Sequence, residues 1–400
     1  MRIPWIKTDK AGAKAFARSA LFTAALAALI VLGVFLLPGK LQGISLANVL
    51  RPKPPAWQGV LHVWQVNTWR VGRGSRTAVV QAAARRFETR NVGVYVELDS
   101  VTEEMLRQRL TEGRLPDVLL FPDNWSGMDA ELFLTLDAGA LPALAQPFAG
   151  AFQREPRAMP WMAGSQLVLV NNALCRSVGV EPPMADKSWN LQALLDFSHQ
   201  ASTSRRKKNV LALSGAQANW LPLAMQAANV KELQEQSLLP DKVFSQSIDG
   251  AREPFAAGRC AVLLGTQWEA ALMERLAAKG KAFEYSVLPL PGDVRPTLNI
   301  QYAAVCASGD ESRDASATAF IAALLSQPMQ KSIAENSACL AVIPNATERL
   351  PDSDVEKYLW SQLPRARVPL PWQTLEPTRL EQALGGDKGA ALVLGEMFVN

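Results

Sequence analysis

From Val60 onward the chain alternates short apolar runs with amphipathic ones. Val60 to Gln65, VLHVWQ, alternates and predicts a strand, and a polar, glycine-containing loop from Val66 to Ser75 follows it. Arg76 to Thr89 sets Val80, Ala84 and Phe87 on one helical face. Val94, Val96 and Leu98 predict a second alternating strand. Ser100 and Glu103 then read as a capping box that opens a helix carrying Leu106 and Leu110. Asp117 to Phe121, DVLLF, is continuously apolar, as expected of a strand in a parallel sheet covered on both faces. Strand, helix, strand, helix, strand in this order predicts an α/β fold with a mostly parallel sheet.

A second series follows. Gln166 to Val170 predicts a buried strand within the stretch Pro160 to Asn172, where the chain is expected to pass from one lobe to another. Further strands are predicted at 210–213, 260–265 and 303–307. Helices are predicted at 189–199, 269–277, 314–325 with Asp314 as its cap, 328–336, 378–384 and 390–398.

The N-terminal part has a different pattern. Ala20 to Leu37 is apolar apart from Thr23 and Gly33, long enough at about 1.5 Å per residue to cross most of a hydrocarbon layer of about 30 Å. Five basic residues and one acid precede it, which places residues 1–19 in the cytoplasm and the rest outside. The run is longer than the core of a cleaved signal and is read as an uncleaved anchor, with no lipobox cysteine after it. Residues 38–58, with Pro38, Pro52, Pro54 and Pro55, read as a semi-stiff linker. Charge follows the same division. Of 41 basic and 37 acidic residues, eight basic ones and Asp9 lie before residue 54, so 33 basic and 36 acidic remain, a balance of −3. A mildly acidic ectodomain without a basic stripe argues against nucleic-acid binding.

Enzymatic motifs are missing from the pattern. His62 and His199 stand far apart, and Cys175, Cys260, Cys306 and Cys339 have no metal-ligand spacing, so neither a histidine triad nor a zinc site is expected. The cysteines read as buried thiols, with a disulfide left open. Ser204 and Lys207 form a lone S-x-x-K without its companion motifs and read as a solvated loop. No cofactor is implied.

The tryptophans point to a binding function. Several of the eleven fall on loops after predicted strands: Trp69, Trp125, Trp220 and Trp268. Such loops at the C-terminal ends of strands are where open α/β sheets bind ligands. An indole offers a flat apolar face that suits the C–H face of a pyranose, while polar neighbours take its hydroxyls. Those neighbours are Gln65, Asn67, Asp123, Asn124, Gln217, Asn219 and Gln267.

With FAAGRCAVLLGTQW at 255–268, VLPLPG at 287–292 and ATAFIAALLSQPMQ at 317–330, the stretch at Pro160 to Asn172 resembles the extracellular solute-binding proteins of ABC importers. The similarity runs from about residue 59 to 345 and is closest to the sugar-binding branch, the maltose-binding protein family. It implies a two-lobed periplasmic-binding-protein-like fold of type II, here preceded by one transmembrane helix. Lobe 1 is expected to hold residues 59–160 and 300–341, and lobe 2 residues 161–299 and 342–400, with crossing segments near Trp161, Asn299 and Val342. By the same resemblance Trp268 and Trp372 match aromatic positions flanking sugar, Asp123-Asn124 matches a polar ligand loop, and Trp189 matches a packing tryptophan. The implied function is capture of a sugar or oligosaccharide in an interlobe cleft and delivery to permease subunits of an importer at the cell membrane. A ligand sensor for a membrane signalling partner and a cell-surface carbohydrate-active enzyme remain as alternatives.

Overall fold

A computed structural model describes residues 57–400 except 68–69, 124, 126–128, 185–187, 204–210, 226–246, 345, 347–353, 374 and 400. The apolar run at 20–37, the linker up to Ala56, Trp69, Asn124 and the S-x-x-K segment lie outside the described residues. No helix among the described residues is long and apolar enough to cross a membrane.

The first half of the sheet is built from β1 (Gly59–Val66), α1 (Arg76–Arg90), β2 (Val94–Val101), α2 (Glu103–Thr111) and β3 (Val118–Pro122). β1 pairs in parallel with both β2 and β3. All five residues of β3 are buried, as its unbroken apolar sequence requires. The start of α2 differs from the expectation. Ser100 is part of β2, and Thr102 caps the helix by accepting the Met105 N–H at 3.2 Å.

The chain continues through α3 (Phe148–Arg154), β4 (Met159–Asn171), α4 (Asn172–Val178) and α5 (Leu191–Thr203). After β5 (Leu211–Gly215) come α6 (Leu221–Ala224), α7 (Ile248–Ala256), β6 (Cys260–Thr266) and α8 (Gln267–Ala278). β7 (Tyr285–Leu288), β8 (Leu298–Val305), α9 (Glu311–Leu324) and α10 (Gln327–Ser337) follow. α11 (Asp354–Gln362), β9 (Val368–Pro369), α12 (Pro377–Leu384), α13 (Lys388–Glu396) and β10 (Phe398–Val399) complete the described elements. The cap of α9 is Asp310, whose carboxylate accepts from the Ser312 and Arg313 N–H groups; the expected cap, Asp314, instead accepts from Ser308.

The strand order is β2-β1-β3-β8-β4-β6-β5, with β7 also on β4. β4 is the link. Its residues Met159 to Ser165 pair antiparallel with β8, and Gln166 to Val170 pair with β6, so the partner changes between Ser165 and Gln166. All thirteen positions of β4 are buried, which a run with Trp161, Met162, Leu167, Val168, Leu169 and Val170 accommodates. The division expected at 160/161 falls inside this strand. Ala163 exchanges backbone hydrogen bonds with Leu340 at 3.2 and 2.7 Å, and Gly164 lies opposite Asn299, so three chain segments run side by side at the junction. Buried Gln330 ties them: its amide donates to the Trp161 carbonyl at 2.8 Å and accepts from the Val342 N–H at 2.8 Å.

The buried side chains form two clusters. One runs from Leu61, Val63, Leu119, Phe320 and Ile333 across β4 to Phe255, Leu263 and Met273; the other gathers Val168, Leu194, Trp220, Leu223 and Val262. The tail divides between them. Leu380, Ala383, Leu384 and Leu394 pack in the second core, whereas Trp372 stacks on Phe121 at 4.4 Å and on Phe133 at 4.7 Å in the first half. The four cysteines are buried.

Candidate functional site

The strands β1, β2, β3, β5 and β6 direct their C-terminal ends toward one cleft of about 250 Å³. Arg70 follows β1, Glu103 opens α2 after β2, and Asp123 and Trp125 follow β3. Asn219 follows β5, the run Thr266 to Glu269 joins β6 to α8, and Asn299 comes from β8 at the junction. Convergence of strand ends puts loop side chains on one cavity even when they are far apart in sequence.

Asp123 lines the cleft. Its carboxylate accepts the Ile300 N–H at 3.1 Å, and its own N–H donates to the Ile300 carbonyl at 2.8 Å. Burial pushes the carboxyl up to about 7, because the ionised form loses solvation and the backbone N–H groups of Ile300 and of Asp123 itself return only part of it. A smaller cavity of about 20 Å³ is also lined by Asp123 and shares Ala218 and Asn299 with the cleft.

The β6–α8 corner supplies another wall. Thr266 accepts the Trp268 N–H at 3.3 Å, while Glu269 accepts from the Thr266 N–H at 2.8 Å and from its hydroxyl at 2.6 Å, a complete capping box. Burial raises the Glu269 carboxyl, and the two bonds from Thr266 oppose that rise. Gln267 folds back across β4, where its Oε1 accepts the Ser165 N–H at 3.1 Å. Gly164 makes this approach feasible, since a Cβ there would stand 2.1 Å from the Gln267 amide nitrogen.

Trp268 is half-buried and carries two guanidinium groups over its ring, those of Arg70 at 4.7 Å and Arg252 at 4.6 Å. Both arginines also bond Asp249, Arg70 through a fork at 3.1 and 3.4 Å and Arg252 at 2.9 Å. The hydrogen bond from Arg70 holds the Asp249 carboxyl below its usual range. Sequence patterning gives little sign of this cluster. Arg70 adjoins an expected loop tryptophan, but Asp249 and Arg252 reach the indole only because α7 packs on β5 and β6.

Of the residues expected at a ligand site, Asp123, Trp125, Asn219, Gln267 and Trp268 come together on the cleft. Others stand elsewhere. Gln65 shares the β1 face of Leu61 and Val63 and donates to the Thr77 hydroxyl at 3.1 Å, so strand parity turns it toward α1. Asn67 is exposed beside buried Arg76, which donates to the Val66 carbonyl at 2.6 Å and to Gln301 at 2.9 Å. Trp220 is fully buried in the second core and donates its indole N–H to the Gly215 carbonyl at 3.0 Å. Gln217 begins the same short turn and does not line the cleft. Trp372 is held away by the Phe121 and Phe133 stack, at a backbone φ of 65°. Trp189 is buried and donates to the Pro289 carbonyl at 2.9 Å, in keeping with a packing residue.

Residues 73–331 match the model of the bacterial extracellular solute-binding protein family. The chain belongs to that family. No curated protein matches this solute-binding protein in sequence. Its fold is shared with solved structures of low identity. The GacH receptor of Streptomyces glaucescens, studied with acarbose, is 18% identical, with a TM-score of 0.62 over 85% of this chain and 97% of its own. The cyclic α-maltosyl-1,6-maltose binding protein of Arthrobacter globiformis is 15% identical, TM-score 0.59, over 85% and 98%. The maltotriose binding protein of Thermus thermophilus is 16% identical, TM-score 0.55, over 84% and 98%. These neighbours bear out the periplasmic-binding-protein-like α/β fold expected from the sequence.

Proposed function

We propose that this solute-binding protein captures a carbohydrate in the cleft between two lobes and delivers it to the permease subunits of an ABC importer. The observation that carries the reading is the meeting of two indoles, Trp125 and Trp268, with the Asp123 carboxylate and the amide of Asn299 on one cavity. Flat apolar walls beside hydroxyl-binding groups are the chemistry a pyranose needs. The solved neighbours studied with acarbose or named for maltosyl and maltotriose ligands support the same class. The lobes follow the bounds expected from the sequence, 59–160 with 300–341 and 161–299 with 342–400, apart from the β4 residues up to Ser165 that pair with β8 and from Trp372, which stacks on Phe121 and Phe133, and they hinge where β4, β8 and the segment at Leu340 lie together. Residues 20–37 serve as a single membrane anchor, with residues 59–400 outside the cytoplasm.

Thermal unfolding of the full chain against a panel of maltose, maltotriose, larger oligosaccharides and polyamines tests the reading. A saccharide at 100 times its dissociation constant adds about 2.7 kcal/mol of stability and raises the melting temperature. Trp268→Ala is expected to reduce that shift while leaving the unliganded melting temperature nearly unchanged. A shift with polyamines and none with any saccharide overturns the carbohydrate reading.

A further inference from the structure

The loop Arg70 to Arg73 belongs by its backbone to the first half of the molecule and by its side chains to the second. Its backbone continues from β1, and the Arg73 N–H donates to the Ser337 carbonyl at the end of α10 at 2.9 Å. Gly72 lies so close to Ala338 that a Cβ would come within 2.6 Å of the alanine methyl. From this seat Arg70 forks onto Asp249 of α7 and covers Trp268 at the start of α8. Farther along α8, Arg275 donates to the Gly72 carbonyl at 3.0 Å, and Glu274 stands 4.0 Å from Arg73. Thus one four-residue loop, docked on α10, makes polar contacts to two helices that flank β6 across the cleft.

We propose that Arg70 to Arg73 is a closure latch, in which the Arg70–Asp249 pair holds the two lobes together without any contact from solute. The inference rests on the two-lobed reading. Closure and the aromatic wall are thereby coupled. When the latch engages, the Arg70 guanidinium lies over the Trp268 ring along with that of Arg252; when it releases, the first lobe withdraws Arg70 and uncovers the part of the ring that this group shields. Arg252 stays with Asp249 in both conditions, because both belong to α7, and keeps the carboxylate oriented toward the incoming arginine. Receptor affinity then depends on how often the closed form is populated, as for any ligand that binds a fraction of an ensemble. The pair is solvent-exposed, so its pull is modest and weakens with salt.

Spin labels at Thr89→Cys on α1 and Gln200→Cys on α5, both exposed positions, report the distance between lobes in the full chain. The measurement is made without solute, so it does not depend on the carbohydrate reading. The expected result is a closed distance in the parent protein, with the open population rising on the order of fivefold in Arg70→Ala or Asp249→Ala, and similarly at high salt. The double exchange Arg70→Asp with Asp249→Arg restores the closed population, which a merely misfolded loop does not do. Melting temperatures of the single variants stay close to the parent value. A distance distribution unchanged by the single variants and by salt, or an exchange variant no more closed than the single ones, overturns the latch. Failure of every saccharide to raise the melting temperature overturns the solute reading instead and leaves this measurement intact.

Discussion

At the scale of single residues, Asp123 carries the sharpest consequence. A carboxyl near 7 is half protonated at neutral pH, so its hydrogen-bonding character changes within the working range. The sign follows from the raised value. Between the ordinary carboxylate range and about 7 the folded protein holds a proton that the unfolded chain has released, so stability from this group falls as pH rises through that window. Solute hydroxyls that donate to the carboxylate reverse the preference, since they favour its ionised form. Affinity is therefore expected to climb by up to about tenfold per pH unit below 7 and to level off above it. Asp123→Asn flattens that dependence. Calorimetric titration of the parent and the variant between pH 5.5 and pH 8.5 checks this, and a flat profile in the parent removes Asp123 from the solute's contacts. Loop placement alone misjudged Trp220, whose fully buried ring and bonded N–H make it part of the second core.

At the scale of elements, β4 and the side chains fastened to it govern the junction. A strand buried at all thirteen positions has no tolerance for a dangling backbone group, yet the neighbouring segments at Trp161 and Val342 are not regular ladder partners. Gln330 supplies both missing bonds from α10, one as donor and one as acceptor. Gln330→Leu conserves much of the volume and removes both, along with the bond the same amide donates to the Leu324 carbonyl at 3.0 Å. The expected cost is about 1–3 kcal/mol for each buried group left unsatisfied, read as a lowered denaturant midpoint. No loss of stability means that the segments repack without the amide. The capping box at Thr266 was not read from the sequence, although T-x-x-E stands there openly at the end of an apolar run. The comparable signal at Ser100 misled, because β2 continues through that residue and Thr102 takes over the cap.

At the scale of the whole molecule, the proposed tethering through the apolar run at 20–37 makes its own prediction. On that proposal the basic flank before the run sets its orientation, since positive residues stay on the cytoplasmic side. Protease added to spheroplasts is expected to remove the ectodomain while the N-terminal segment remains protected with the membrane. Release of a mature protein beginning between residues 38 and 58 shows a cleaved segment instead. The proposed tether and the proposed latch would act on the same quantity, the supply of closed, loaded receptor near the membrane, and salt separates them, since it weakens an exposed ion pair and leaves a hydrophobic anchor in place.

Periodicity in the chain was enough to set many of its strands and longer helices in order, because burial of one face is written locally in residues two or three to four apart, although α3, α4, α7, α11 and β7 were not among the elements it predicted. It was enough, too, to place Asp123, Trp125, Asn219, Gln267 and Trp268 after strands, at the end of the sheet where cavities form. What remained undecided was direction. Gln65 follows the same apolar pattern whether its amide meets α1 or a ligand, and Trp372 has no local mark of the Phe121 and Phe133 stack that holds it. The Arg70, Asp249 and Arg252 cluster joins residues 179 positions apart in sequence through side chains alone. Contacts of that kind depend on how the elements on either side of β4 pack together, and no periodicity within either partner records them.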